Sequence, residues 1–444
     1  MLDLKKIDLI DKDVTNNLVK VFKSKIYTNL LIDAKRSLYQ HKSLFLVGYA
    51  SLGRLAIQIE ASIRKFWLNL INIIPDRKDE FLANYHYVNS ISIGSDLTII
   101  NNEIDFKDLY MIGNRQIESE VNDGDICIVY ANDGSSRAIN QAAITASKMG
   151  ASVYYLYNNS KEKIASIDTA KSVLSNKNII KICLDNEATN ASLFKELIFS
   201  YSVLETISNE WLKENLIDDE YKVLIDRGLG ALSINEYARC LNLINKGFQK
   251  EKTKIALTKL AEIKLNNNAY LTHNYLVDMI AILVDEQDRC NYPSFKKRMD
   301  RNIDNPKSIM IDALYPTSVA WQHVFRRNIK GLNESKNTYK LLGVNNPKIS
   351  SFHSSELSDY LIGNEYDQSR YQYNLLFIDV NEHYDLEELT FFSKEEGNYK
   401  GQIVVRIGNV SRNKLFSNEL IIPIKLPSTC LDLFAHLIIR VLFS

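Results

Sequence analysis

The residues best suited to chemistry lie where an apolar run breaks into a helical pattern. Leu44-Phe45-Leu46-Val47 leads into Gly48-Tyr49-Ala50-Ser51-Leu52-Gly53 and then directly into an amphipathic stretch. Small residues at such a turn let the backbone approach a ligand closely. The first N–H groups of the helix that follows, with its dipole, favour an anion such as phosphate. Ser51 adds a hydroxyl donor. Anion binding by Gly48, Ser51 and Gly53 is the chemistry this segment can do, although tight strand-to-helix packing calls for the same small residues. Other chemistries lack their residue patterns. The seven histidines, His41, His86, His273, His323, His353, His383 and His436, show neither H-x-x-x-H nor H-E-x-x-H spacing, so no metal site is expected. There is no G-x-S-x-G elbow and no phosphate loop ending in Gly-Lys-Ser/Thr.

The turn needs a scaffold, and the flanking pattern supplies one. From Phe45 to about Tyr157, short β-rich runs alternate with helical patterns, the signature of parallel βαβ units. Strands are predicted at Leu44–Tyr49, Val88–Ile93, Asp125–Tyr130 and Ser152–Tyr157, with crossover helices at Leu52–Leu70, Phe106–Glu118 and Ser135–Met149. A strand at Ile179–Leu184 and a helix at about Ser192–Leu212 complete a five-stranded doubly wound sheet. In such a sheet ligands bind at the carboxyl ends of the strands, where the Ser51 turn falls. Asp218 to Lys264, free of proline and rich in Leu, Ile, Lys and Glu, reads as a helical connector.

The alternation then restarts, with strands predicted at Val277–Val284, Lys307–Leu314, Tyr373–Val380, Gln402–Ile407 and Glu419–Ile424. Helices fit Ser318–Arg327, Asp385–Lys394 and Cys430–Leu442. Lys330 to Asp367, polar and rich in Asn and Ser, reads as a long loop with short elements, where proteolysis should cut first. The expected fold class is α/β, with two three-layer αβα sandwiches built on parallel sheets and joined by helices. The expected divisions are a helical segment at 1–42, a first domain at 43–215, a connector at 216–265 and a second, more divergent domain at 266–444.

The bulk composition agrees with a globular α/β protein. At 444 residues the chain is too long for one core. Its 54 acidic and 54 basic residues balance, so neither a basic excess nor a nucleic-acid partner is indicated, and Lys296-Lys297-Arg298 reads as a solvated turn. The five cysteines, Cys127, Cys183, Cys240, Cys290 and Cys430, are scattered and suggest neither disulfides nor zinc. The first fourteen residues lack the apolar core of a secretory signal, which makes a cytoplasmic location the expectation. Leu431 to Phe443 is too short to span a bilayer and carries Arg440, so no membrane is expected either.

The Gly48–Leu55 segment also resembles the first phosphosugar motif of the sugar isomerase (SIS) domain, strand-G-x-G-T-S-G-R-L. That motif is found in N-acetylmuramic acid 6-phosphate etherases and the glucokinase regulatory protein. Gly48, Gly53, Arg54 and Leu55 match, and Ser51 stands at the threonine. Ala50 replaces the middle glycine, and Leu52 replaces the serine that binds sugar phosphate. Ser92-Ile93-Gly94-Ser95-Asp96 resembles I-A-G-G-[DE]. The run from Asp125 to Ser136 resembles D-V-V-V-G-I-A-A-S-G-R, with Asp133 at a phosphate-facing serine and Ser135 and Ser136 directly after it. Thr189 to Lys195 resembles T-G-S-S-R-M-K and keeps Ser192 and Lys195. Asp285 to Phe295 is similar to T-D-T-T-E-R-S-P-T-F of bacterial relatives of the regulatory protein, and Ala320-Trp321 fits an A-W of the same relatives.

This resemblance implies a double-SIS protein that binds a hexose or N-acetylhexosamine phosphate through Gly48, Ser51, Gly53, Arg54, Asp133, Ser135, Ser136, Ser192 and Lys195. No cofactor is implied. At the two carboxylates used by the etherase, this chain has Ser62 and a position near Lys107. Glu60, Glu103, Asp105 and Asp108 are the nearby substitutes, with Glu60, Glu103 and Asp108 the candidate catalytic groups. The implied function is a regulatory or scaffolding phosphosugar binder with eroded catalytic positions, acting on a protein partner or as a homo-oligomer. The alternatives are an active lyase or isomerase on an amino-sugar phosphate, and a pure protein-interaction module with a decayed sugar site.

Overall fold

The computed structural model describes residues 12–100, 104–184, 192–226, 234–266, 269–272, 298, 309–311, 315–362, 374–380, 401–408, 410, 419–424 and 436. The predicted strand Val277–Val284, the helix Asp385–Lys394, the 285–295 motif and Glu103 lie outside them, as does all of the predicted 430–442 helix except His436. Thr189 to Ala191 lie outside as well.

Five strands form the first sheet: β1 (Leu44–Gly48), β2 (Val88–Ser92), β3 (Ile126–Asn132), β4 (Ser152–Tyr157) and β5 (Ile179–Cys183). All pairings are parallel and the order is β2-β1-β3-β4-β5. The inner strands β1, β3 and β4 read as nearly continuous apolar runs because helices cover both sheet faces; every residue of β1 is buried. Long helices at Ser51–Ile73, Tyr110–Glu120 and Arg137–Lys148 supply the first three crossovers. The chain passes from β1 outward to β2 and then back to β3, so the strand order reverses between β1 and β3. At such a switch point the loops diverge and leave a crevice.

The Ser192–Asn215 helix follows β5 and anchors the N-terminal helices Lys12–Phe22 and Lys25–Tyr39. The Tyr27 hydroxyl lies 2.6 Å from Ser202 Oγ, and the Phe22 and Phe199 rings stack at 6.4 Å. Helices Asp218–Asp226, Ile234–Phe248 and Glu251–Asn266 then lead to the second sheet.

That sheet comprises β6 (Ala269–Thr272), β7 (Ile309–Ile311), β8 (Asn374–Val380), β9 (Gly401–Ile407) and β10 (Glu419–Ile422). It too is wholly parallel, in the order β10-β9-β8-β6-β7. Read in chain order, both sheets carry the 2-1-3-4-5 arrangement, so the chain is an α/β protein built on one topology used twice. Among the described residues the second sheet's first strand in chain order is Ala269–Thr272, which no predicted strand covers. Four residues give too short a run for periodicity to register.

Between β7 and β8 the chain returns to the first sheet. The Thr317–Phe325 helix, the Lys336–Leu341 helix and the 3₁₀ turns Pro347–Phe352 and Ser354–Asp359 follow one another there. The outward-facing carbonyls of edge strand β2 are capped by side chains: Val88 O accepts from Arg64 Nη2 (3.3 Å), Ser90 O from Lys330 Nζ (3.1 Å) and Ser92 O from Gln116 Nε2 (3.0 Å). Capped carbonyls are not available to pair with a further strand, which protects an exposed edge.

Candidate functional site at the carboxyl edge of the first sheet

The turn after β1 is as tight as its residues imply. A Cβ on Gly48 would sit 2.6 Å from the Gly53 backbone nitrogen, and one on Gly53 would collide with Ser92 Oγ on β2. Ala50 adopts φ 50°, ψ −126°, a conformation that glycine takes readily and alanine does not. The Ser51–Ile73 helix begins there with no side-chain cap and no acidic residue in its first turn. Its dipole is thus presented at the switch point without a built-in anion, although the Leu52 N–H already donates to the Tyr49 carbonyl at 3.1 Å. Ser51 is half-buried, and its Oγ accepts from Arg54 Nη2 at 3.2 Å.

Arg54 is 1% exposed and faces inward. Besides Ser51, its guanidinium donates to the Thr98 carbonyl through Nη1 (3.2 Å). It therefore braces the Ser51 turn against the turn after β2. There Ser95 holds φ 85°, ψ 178°, again a glycine-type conformation. Both strained residues, Ala50 and Ser95, occupy positions where the resembled motifs have glycine.

At the end of β3, Asn132 takes φ 52°, and Asp133 closes an Asx turn by accepting from Ser135 N (2.9 Å) and Ser135 Oγ (2.7 Å). Ser136 caps the Arg137–Lys148 helix, accepting from Ile139 N (3.3 Å) and donating to the Lys107 carbonyl (3.2 Å). Asp133, Ser135 and Ser136 thus have local structural duties at the same sheet edge as the Ser51 turn. Ser192 begins the Ser192–Asn215 helix, and Lys195 is buried within its first turns.

One group the sequence did not single out is the Glu196 carboxyl. It is fully buried beside the ends of β3 and β4. Oε1 accepts from Asn158 Nδ2 at 2.6 Å, and Asn158 lies 3.5 Å from the exposed Asn132 Oδ1. Oε2 has no hydrogen-bond partner among the described residues. Burial pushes the carboxyl up to about 7, against opposing pulls from a backbone hydrogen bond, Asn158 and the Lys195 charge. Such a group can hold or release a proton near neutral pH. A glutamate in a long amphipathic helix looks ordinary in sequence; burial and strand-end placement are tertiary facts.

The predicted catalytic carboxylates are placed otherwise. Glu60 is buried deep against β2, bonded to Arg64 Nε (3.0 Å), Arg327 Nε (2.8 Å) and the Ser90 hydroxyl. Burial alone would raise its pKa, but the charges of Arg327, Arg64 and Lys330 outweigh it and hold the carboxyl at about 2. Glu60 is thus held as part of an internal ion network with Arg64 and Arg327, which favours its charged form. Asp108 is exposed beside the start of the Tyr110–Glu120 helix, and Asp105 accepts from the Tyr49 hydroxyl. Among the described residues no cluster of His, Cys, Asp or Glu is arranged to hold a metal, and no helix is long and apolar enough to cross a membrane.

The geometry defines an α/β protein with an uncapped helix start and a buried carboxyl, Glu196, on one sheet edge. No protein-family model matches the chain, and no curated sequence matches it either. Solved structures align at low identity. The C-terminal domain of glucosamine-fructose-6-phosphate aminotransferase from Francisella tularensis is 11% identical, with 99% of this chain and 92% of that one covered at a TM-score of 0.48. Tagatose-6-phosphate ketose/aldose isomerase from Escherichia coli is 10% identical over 98% and 92% at 0.47. Glucosamine-6-phosphate deaminase from Thermotoga maritima is 9% identical over 99% and 92% at 0.43. What the site can do follows from this chain's own geometry.

Proposed function

We propose that the chain binds a sugar phosphate at the carboxyl edge of the first sheet. The phosphate sits on the Ser51–Gly53 turn, and the sugar extends across β3 toward β4 and Glu196. The observation that carries this reading is the pairing of an uncapped helix start at the switch point with the buried Glu196 carboxyl, which burial pushes up to about 7. β1 and β4 are two strand spacings apart, about 10 Å, a span that a phosphorylated hexose covers. With a sugar bound, Glu196 would remove the proton from the hydroxyl-bearing carbon beside the carbonyl and return it to the carbonyl carbon, while that hydroxyl's proton passes to the former carbonyl oxygen, an isomerase-type transfer through an enediol.

The resemblance to phosphosugar-binding SIS domains and the sugar-phosphate enzymes among the structural neighbours accord with the ligand class. A second reading, a regulatory binder without turnover, is favoured by Leu52. It stands where the resembled motif has a phosphate-binding serine, and its side chain is buried in the core. Etherase chemistry has the least support, because Glu60 is locked as an ion, and no lactate release from N-acetylmuramic acid 6-phosphate is expected.

A thermal-shift panel of hexose and N-acetylhexosamine phosphates tests the ligand class. A compound at 100 times its Kd stabilises the fold by about 2.7 kcal/mol. Incubating any binder in D₂O then separates the two readings. Deuterium entering the carbon skeleton selects proton transfer, binding without incorporation selects the regulatory reading, and no shift with any sugar phosphate overturns both.

A further inference from the structure

The second half of the chain reaches this edge through a short strap. Residues 326–330 follow the Thr317–Phe325 helix and cross the free edge of β2. Arg327 Nη1 donates to Asp96 Oδ2 and Nη2 to Asp96 Oδ1 (3.0 Å), while Nε reaches Glu60. The Lys330 N–H donates to Asp96 Oδ2 at 2.6 Å, and its carbonyl accepts from Asp96 N–H at 3.0 Å. The Tyr85 hydroxyl donates to the Arg326 carbonyl. Farther along, Phe352 meets Phe106 edge-on at 5.1 Å, and Phe106 lies where a Cβ on Gly94 would fall.

These contacts converge on the turn after β2. Asp96 opens the Asp96–Ile99 3₁₀ turn directly after the strained Ser95. A residue in a sparsely populated conformation persists only where its surroundings over-determine it. The strap supplies part of that constraint. From the same turn the Thr98 carbonyl accepts from Arg54, and Arg54 donates to Ser51 Oγ. A continuous path of charge-assisted hydrogen bonds and one short turn thus runs from Arg327 to the Ser51 hydroxyl. Arg327 meets Glu60 on the helix through Nε, and makes its bidentate bond to Asp96 on the turn.

We infer that Arg327 is a positioning residue: from the second half of the chain it holds the 95–99 turn and, through Thr98 and Arg54, sets the Ser51 hydroxyl that receives the ligand's phosphate. The inference rests on the phosphate placement above. Whatever moves the strap then tunes affinity at the first sheet.

The test uses the full chain with Arg327→Met, Arg327→Lys, Ser51→Ala and the double variant Ser51→Ala/Arg327→Met. Fructose 6-phosphate affinity is measured by calorimetry, and hydrogen exchange is followed in the ligand-free protein. Arg327→Met is expected to weaken binding about three- to thirtyfold, within the range of coupling through contiguous networks. Arg327→Lys should lose less. In the Ser51→Ala background the Arg327→Met loss should shrink to about threefold or less, because the path ends on the missing hydroxyl. Amides at Ser51–Arg54 should exchange faster in Arg327→Met while those of β4 stay protected.

Equal losses in both backgrounds, or equally accelerated exchange in β4, would overturn the inference and leave Arg327 a general stabiliser. If the wild type does not bind fructose 6-phosphate, the phosphate placement fails for that probe. The exchange comparison on Ser51–Arg54 still decides whether the strap holds the turn.

Discussion

At residue scale, Ala50 ties the sequence to the backbone most directly. The sequence shows an alanine where the resembled motif has glycine, and the structure shows that position still in a glycine-type conformation, φ 50°, ψ −126°. Strain of this kind costs about 1–3 kcal/mol. Ala50→Gly is therefore expected to raise stability by about 1 kcal/mol, after the added freedom of glycine in the unfolded chain is subtracted. Chemical denaturation measures it, and a loss of stability would show that the turn is not strained. Glu196 and Glu60 make a second residue-scale expectation, of opposite sign. Glu196 is raised to about 7 from 4.5, so the folded state holds its proton more tightly, and stability falls as pH rises from 4.5 to 7. Glu60 is lowered to about 2, so its contribution is complete above 4.5 and is lost as pH falls toward 2. Glu196→Gln should flatten the upper window, worth about 3 kcal/mol, while leaving the acid limb unchanged. Neither effect was legible in the sequence, where both are helical glutamates. What separates them is which partners the fold brings: three cations for Glu60, an amide and one cation for Glu196.

At element scale, the strands and helices of the first sheet were legible because buried parallel strands write themselves as short apolar runs between amphipathic helices. Ser152–Tyr157 was predicted to the residue. Boundaries slipped where caps decide them: the Phe106–Glu118 prediction begins at Tyr110 in the structure, since Asp105 and Lys107 are spent on a turn in which Lys107 N donates to Asp105 Oδ1 at 2.8 Å. The glycines of the Ser51 turn illustrate what spacing alone leaves open. Gly53 serves close packing, because a methyl there meets Ser92 Oγ. Gly53→Ala should cost about 1–3 kcal/mol through overpacking against β2. Ser92→Ala removes the colliding oxygen but leaves Cβ 3.2 Å from the new methyl, and it also deletes the 2.7 Å contact between Ser92 Oγ and Thr98 Oγ1. The double variant should therefore be less unstable than the sum of the singles, by a coupling that a denaturation cycle reads directly. Strict additivity would mean that the helix, not Ser92, absorbs the methyl.

At the scale of the whole molecule, the sequence suggested two sheets in series, whereas the structure adds a return from the second half onto the edge of the first. That return is invisible to periodicity because Arg327 and Lys330 look like ordinary surface cations until Glu60, Asp96 and Glu120 are placed around them. The stretch beyond them carries the short elements expected of a long loop. How well it is packed was not legible, because Leu332, Tyr339, Val344, Ile349, Phe352, Leu357 and Ile362 are buried at intervals too irregular to give a helix or strand signal. Among these residues Leu341 is the large apolar side chain left outside, 88% exposed. Cleavage by a protease requires local unfolding of the backbone around the cut. In the wild type, residues 330–362 should therefore resist limited proteolysis more than their composition suggests, with any nick near Leu341. Arg327→Met leaves Glu60 and Asp96 without their shared cation, at a cost of about 3–5 kcal/mol. The strap should then open locally, and fragment masses should show cleavage within 330–362 rising at least about tenfold. Cleavage that is fast in the wild type and indifferent to Arg327 would mean that the strap does not hold this return against the first sheet.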